Sequence, residues 1–449
     1  MGTHFSRFYH RHPRLSQLAL SLFALFLISS LQHPDPTSPS FQLPGLFPSH
    51  YPASRHLSNP ALNTRLTTAA ANLSQACQSP IEPIHIDPGL TPAQERRYEH
   101  LRRGQGRVMV VTTIREIASQ MPDFLNALIV LVTYLGPSRL SFSILEGPSD
   151  DCTAQALENV LKPTLLEMGV PERHLHLTTR ESKIDFSKHN RIEVLAGLRN
   201  RALSPLWTST SKGKGKADDA VEAVVFVNDV YLRASDVLEV LHQHKRAGAG
   251  ITTAWDWMER KPEYYYDVWV GRTIDTGNLF YPIKGRSWSP SEDLFFDSED
   301  SEEHFEDLEP FQVYSSWNGL AVLDPKPFLP PHNVRFRRGD AARGECAASE
   351  CSLIATDFWK AGYGRVQIVP SVQLAYTRHS AQQTRDELVK QQAELGWKDG
   401  VPPAKRDITV AFTTKPPNKV RCHPWPEKNG LSANVWETTL WVDPLSGIS

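Results

Sequence analysis

Two aspartates stand at the ends of two apolar runs. Asp229 follows Ala223-Val224-Val225-Phe226-Val227 and Asn228; Asp256 follows Ile251 to Trp255. Unbroken runs of β-branched and aromatic residues read as strands buried on both faces. A carboxylate just past such a strand lies where open α/β sheets hold ligands, beyond the carboxyl ends of the strands. Two of them at one sheet edge suit chemistry in which a diphosphate departs and its charge must be neutralised. A divalent cation does this with few protein carboxylates, taking much of its shell from phosphate and water. Asp229 is the candidate ligand and Asp256 its neighbour. Aspartate after a strand also commonly opens a turn. Other chemically apt residues lie on a helical stretch, where Arg191 and Arg199 are eight residues apart and share roughly one face. The planar fork of arginine matches diphosphate oxygens, although helical arginines are commonly just solvated.

The elements that must place these groups alternate along the chain. Expected strands are Val108–Thr113, Leu140–Leu145, His174–Leu177, Ala223–Val227 and Ile251–Trp255. Between them, helices are expected at Pro122–Leu135, Thr153–Met168 and Asn190–Leu206. Ser235 is the expected N-cap of a helix that stops at Gly248, and flanking helices are expected at Pro92–Arg103 and Ser380–Leu395. This order predicts an α/β fold, a mostly parallel sheet with helices on both faces.

The 449 residues carry a formal net charge of −2, so there is no basic field for nucleic acid. Residues 1–14 are basic, and Leu15–Leu31 is uncharged and apolar, about seventeen residues, at the short end for a membrane span. Positive charge on its N-terminal side predicts a cytoplasmic tail (1–14), a signal anchor (15–31) and a lumenal body. A cleaved signal peptide is the alternative. Residues 32–92 are rich in Pro, Ser, Thr and Asn and read as a disordered stem bearing the sequon Asn72-Leu73-Ser74. The catalytic domain is expected over 93–395, with mobile insertions at 209–219 and 287–309, the second strongly acidic. Residues 396–449 read as a Pro-rich tail. In an oxidising lumen, five cysteines leave at least one unpaired within the chain, and Cys346 or Cys351 is expected in a disulfide. His379, just after an apolar run, can reach a metal site, although a surface role is commoner for such a histidine.

Several blocks together resemble the fungal α-1,3-mannosyltransferase and capsule-associated glycosyltransferases, family 69. They are Leu198-Arg199-Asn200, Phe226-Val227-Asn228-Asp229-Val230, Ala254-Trp255-Asp256-Trp257, Tyr266-Asp267-Val268-Trp269-Val270-Gly271-Arg272, Ser316-Trp317-Asn318-Gly319, Ser349-Glu350-Cys351 and Asp357-Phe358-Trp359. The resemblance implies a GT-A-type fold, a single-pass type II Golgi membrane protein, and transfer of a hexose to a saccharide acceptor. The donor implied is a nucleotide sugar, GDP-mannose above all, and the cofactor a divalent metal, manganese. Asp229 then looks like the metal carboxylate, and Arg191, Arg199, Asn200 and Asn228 like donor contacts. Asp256 and Glu350 look catalytic, and Trp317, Asn318 and Gly319 look like the acceptor side. Thr273 replaces an expected aspartate, and Ser316 an expected cysteine, which puts roles at those positions in doubt. A nucleotidyltransferase of similar fold, or a catalytically silent sugar-binding homologue, are the alternative readings.

Overall fold

In a computed structural model, the residues described are 60–78, 89–210, 220–258, 261–282, 291–424 and 439–445. The chain divides into Met1–Leu57, which lies outside the described residues together with the expected tail and anchor, and Ser58–Ser449. Among the described residues no helix is long and apolar enough to cross a membrane.

The first described helix is α1, Pro60–Cys77. It corrects the expectation of an unstructured stem over 32–92. Leu62, Leu66, Ala69 and Leu73 recur at helical spacing and are buried in the main core, while Asn72 is exposed. A disulfide from Cys77 to Cys152 ties the end of α1 to the body. Helix α2, Pro92–Arg102, begins with a capping box between Thr91 and Gln94.

The α/β alternation then runs as expected: β1 (Arg107–Ile114), α3 (Met121–Leu135), β2 (Leu140–Glu146), a helical run over 153–167 (α4), β3 (Leu175–Thr178), α5 (Arg191–Thr210) and β4 (Val221–Val227). Helix α6 spans Ala234–Ala247. Its start is set by Asp236, whose carboxylate accepts from the Arg233 N–H at 2.7 Å, so Ser235 lies inside the helix and is not its cap. The expected stop holds, with Gly248 at φ 58°. The chain continues through β5 (Ile251–Met258), β6 (Lys261–Tyr265), β7 (Arg272–Thr273), α7 (Glu299–Glu306), β8 (Phe311–Ser315) and β9 (Leu320–Leu323). It closes with α8 (Glu350–Lys360), β10 (Val366–Ala375), α9 (Arg378–Glu394), β11 (Val420–Cys422) and β12 (Leu440–Val442).

The main sheet has the order β3-β2-β1-β4-β9-β5-β10-β8-β7, with β6 on β5. Strands β3, β2, β1 and β4 are mutually parallel, as expected, and β10 is parallel to β5. The other half is mixed, because β9 inserts antiparallel between β4 and β5, and β8 pairs antiparallel with β10. Alternate residues of each strand serve opposite faces. Val108 and Val110 join α1, α3 and α6 in one core, whereas Met109 and Val111 join α5 and α8 in the other. From β1 the chain steps outward to β2 and β3, then α5 returns it to β4 on the far side of β1. The carboxyl ends of β1 and β4 therefore flank a topological switch point, where such sheets open a crevice.

The acidic segment is the second correction. It was expected as a mobile insertion over 287–309; residues 287–290 lie outside the described residues, and 291–309 pack on the body. Phe295 is 1% exposed among Trp255, Phe280, Phe305 and Phe311, and Leu308 is buried too. The carboxylates stay at the surface and find cations. Arg406 pairs with Asp307 at 2.5 Å and Glu309 at 3.2 Å, and His304 meets Glu309 at 3.2 Å. Of the other expected insertion, residues 209 and 210 end α5 and 211–219 lie outside the described residues. The C-terminal segment straps back across the body. Asp407 bridges Arg97 (3.0 Å) and Arg246 (2.5 Å), and Cys422 is disulfide-bonded to Cys346. That pairing takes Cys346 of the two expected candidates and leaves Cys351 a free, buried thiol.

Candidate active site

A cavity of about 930 Å³ opens at the carboxyl edge of the parallel strands. Its wall includes Thr113 and Ile114 from β1, Leu145 from β2, Asn228 and Asp229 after β4, and Tyr376 after β10. Helix α5 adds Arg191 and Arg199, and the start of α8 adds Ser349, Glu350 and Cys351. Asn190 begins α5 by accepting from the Ile192 N–H at 2.9 Å, which sets Arg191 at the mouth. Arg191 is exposed there, over the Phe186 ring at 5.8 Å.

Arg199 organises the inner wall. Its Nε donates to Glu350 Oε1 at 3.0 Å and its Nη1 to Asn228 Oδ1 at 3.4 Å. The guanidinium lies 4.8 Å from the Trp317 ring centre and 5.0 Å from that of Phe226. Trp317 Nε1 donates to the same Asn228 oxygen at 3.2 Å. Arg199, Asn228, Trp317 and Glu350 are therefore one bonded unit, all in the cavity wall. Glu350 is 2% exposed, so its charge depends on Arg199 for compensation. Burial pushes the neighbouring Cys351 thiol up, so it stays protonated and unreactive.

Other expected contacts fall behind the wall. Asn200 holds the Phe336 backbone at both ends, donating to its oxygen at 2.8 Å and accepting from its N–H at 2.9 Å; it is a loop tether and not a donor contact. Asn318 and Gly319 are turned inward at φ 53° and 77° and do not form an acceptor surface. The Asn318 side chain is spent on Ala254 O (2.9 Å), Ser316 Oγ (2.8 Å) and the Tyr265 hydroxyl (2.9 Å). Gly319 needs its missing side chain, because a Cβ would stand 3.0 Å from Val230 Cγ1 in a left-handed backbone. Asp256 is wholly buried: Oδ2 accepts from the Tyr376 hydroxyl at 2.7 Å, while Oδ1 has no side-chain or backbone donor from another residue among the described residues. Burial, together with the nearby Asp267, pushes its carboxyl well up. It therefore braces Tyr376 from behind and does not touch the cavity. His379 is exposed on α9 and is not part of the wall, so it is withdrawn as a metal ligand. Thr273 is buried, with Oγ1 2.7 Å from that of Thr276, far into the sheet edge; the departure there leaves the site untouched. Ser316 bonds Thr253 at 2.7 Å, and both disulfides form without a cysteine at that position.

One carboxylate had been given no role. Asp267 lines the cavity, and its Oδ2 accepts from the Asn318 N–H at 2.9 Å. Burial pushes its carboxyl up, while that N–H and the Arg199 charge pull against the shift. In the sequence it stands inside the family-like block Tyr266-Asp267-Val268-Trp269-Val270-Gly271-Arg272, where no residue was assigned a role.

Comparison with known proteins now decides the lineage. The sequence profile described as cryptococcal mannosyltransferase 1 matches residues 107–357, which contains every wall-forming block from β1 through α8. The chain belongs to that family. It is 58% identical, over 95% of its length and 91% of the relative's, to an alpha-1,3-mannosyltransferase of Cryptococcus neoformans var. neoformans serotype D. It is a glycosyltransferase. Among solved structures, S. aureus TarS 1-349 aligns with 65% of this chain and 67% of its own at 11% identity, with a TM-score of 0.33. The same TarS fragment in complex with UDP aligns at 10% identity, also with a TM-score of 0.33. Neither alignment is close enough to inform the site.

A metal can be tested against the wall residues. Among the described residues, no three His, Cys, Asp or Glu side chains are grouped to hold an ion. Asp229 is exposed at the strand end in the cavity wall. This donor set fits a cation that shares one protein carboxylate with a diphosphate and water, not one caged by protein.

Proposed function

We propose that the protein transfers mannose from GDP-mannose, in α-1,3 linkage, to a hydroxyl of a saccharide acceptor. The observation that carries this reading is the cavity at the β1–β4 switch point, whose wall holds an exposed carboxylate, Asp229, and the arginines Arg191 and Arg199. A nucleoside diphosphate leaving group needs that pairing: cationic groups against its oxygens and an anionic anchor for a bridging cation. The name of the 58% identical relative supplies the sugar and linkage. Asp229 is the residue that would hold a divalent cation, manganese, which supplies charge neutralisation for the departing diphosphate. Arg191 meets the diphosphate at the mouth. Arg199 holds Glu350 and Asn228 fixed, so these groups need no reorganisation when the donor binds. Two disulfides and an exposed sequon at Asn72 suit an oxidising lumen, which supports the Golgi placement with residues 15–31 as the anchor.

The test is incubation of the detergent-solubilised full chain with manganese, a panel of sugar nucleotides and an α-mannoside. Release of GDP from GDP-mannose, with a new α-1,3-linked residue on the acceptor by NMR, is the expected result. Pyrophosphate release would mark a nucleotidyltransferase, and no turnover would mark a sugar-binding homologue; either outcome ends the proposal.

A further inference from the structure

With Asn318 and Gly319 turned into the core, the acceptor needs another surface, and one is present on the cavity wall. The Tyr266 and Tyr376 rings meet with centroids 4.4 Å apart at 41°. Tyr266 is 38% exposed, one of few large aromatic side chains left so open among the described residues. Tyr376 is braced through its hydroxyl by buried Asp256 at 2.7 Å, so the ring it offers Tyr266 is fixed. Asp267 follows Tyr266 directly, in a turn closed by bonds from the Val270 (3.0 Å) and Gly271 (3.3 Å) N–H groups to its backbone oxygen. One of its carboxylate oxygens is held by the Asn318 N–H, and the other has no hydrogen-bond partner among the described residues. Both tyrosines line the same cavity wall as Asp229, the proposed diphosphate side of the site.

An aromatic face beside a fixed carboxylate is what a pyranose ring requires. Its axial C–H bonds pack on the ring, and its hydroxyls donate to the carboxylate. The exposure of Tyr266 decides which sugar. A donor sugar is enclosed with its diphosphate, whereas an acceptor saccharide must continue outward into solvent.

We propose that Tyr266, Tyr376 and Asp267 form the subsite that holds the acceptor's terminal hexose ring, with the ring on the tyrosines and a hydroxyl on the open oxygen of Asp267. This rests on the reading of the protein as a transferase to saccharide hydroxyls. It assigns Asn318 a positioning role, since its backbone N–H orients Asp267.

The experiment is initial-rate kinetics of the full chain with manganese, varying a mannoside acceptor at saturating donor and the donor at saturating acceptor. The donor is whichever sugar nucleotide the parent turns over, so failure of the GDP-mannose reading shows in the parent alone. Tyr266→Ala should raise the acceptor KM about tenfold, the size of a lost ring contact. Tyr266→Trp should recover most of that loss. Asp267→Asn, which keeps the shape but removes the charged acceptor, should raise the acceptor KM by roughly tenfold or more. In each variant the donor KM should change less than the acceptor KM. Acceptor KM values within twofold of the parent in both Tyr266→Ala and Asp267→Asn would overturn the subsite. So would a donor KM that rises as much as the acceptor KM, which would put the tyrosines against the donor sugar. A Tyr266→Trp variant as impaired as Tyr266→Ala, at an unchanged thermal midpoint, would also count against it.

Discussion

Arg199→Met tests whether the inner wall is one bonded unit. Methionine is close in length and apolar, so the helix and its packing persist while the cation disappears. Glu350 is then left 2% exposed with only the weak thiol donor of Cys351 (3.7 Å) and the Ser349 hydroxyl (3.3 Å). Removing one partner of a buried pair costs about 3–5 kcal/mol, because the other charge is stranded. The contacts of the guanidinium with Phe226 and Trp317 add about 0.5–1 kcal/mol each. Glu350→Gln should cost less, about 1–3 kcal/mol, because the amide still offers an oxygen to Arg199. In the double variant no charge is stranded, so its loss should fall short of the sum by about 2 kcal/mol. Urea unfolding of the parent, both single variants and the double variant measures all four corners of this cycle. An Arg199→Met loss under about 1 kcal/mol, or strict additivity, would refute the view that Glu350 depends on Arg199.

Three further outcomes follow from the fold. Phe295→Ala should destabilise by about 3–5 kcal/mol, since the ring is fully enclosed; a loss below about 1 kcal/mol would restore the mobile-loop reading of the acidic segment. Cys77→Ser should lower unfolding stability by about 2–4 kcal/mol under non-reducing conditions and expose α1 to proteolysis, and an unchanged digestion pattern would contradict the packing of that helix. Glu239 predicts an acid dependence: burial alone would raise its carboxyl, but bonds from Arg97 Nε (2.7 Å) and Nη2 (2.8 Å) outweigh it and hold it at about 2, below 4.5. A lowered folded value stabilises above the unfolded value and is lost as pH falls, so about 3 kcal/mol should disappear between pH 4.5 and 2. Glu239→Gln should flatten that slope; the same slope in both proteins would remove Glu239 from the account.

The parallel half of the sheet was legible because its strands are long apolar runs separated by helices with clear periodicity. The position of Asp229 was legible for the same reason, since it closely follows the apolar run of β4. What escaped reading was masked by composition or by turn chemistry. Helix α1 hides four core residues among Thr, Asn and Ser, so the polar background outweighed the spacing. In 291–309 the carboxylates drew attention from Leu294, Phe295, Phe305 and Leu308, which do the packing while the charges stay in water. The Asn318-Gly319 pair was read as a surface, although asparagine followed by glycine is a signature of left-handed backbone, and that turn faces the core. Asn200 looked like a ligand contact because nothing local shows its partner, the Phe336 backbone 136 residues away. Asp267 escaped for the same reason, as its fixing bond comes from Asn318.

As proposed above, the cavity at the β1–β4 edge binds the diphosphate of the donor through Asp229 and a cation. Calorimetric titration of GDP into the full chain, with and without manganese, tests it in the parent and in Asp229→Ala. Manganese should tighten GDP binding to the parent by about tenfold or more, roughly 1.4 kcal/mol, and leave the variant's weaker binding unchanged. Equal tightening in both proteins would contradict the account and move the diphosphate away from Asp229.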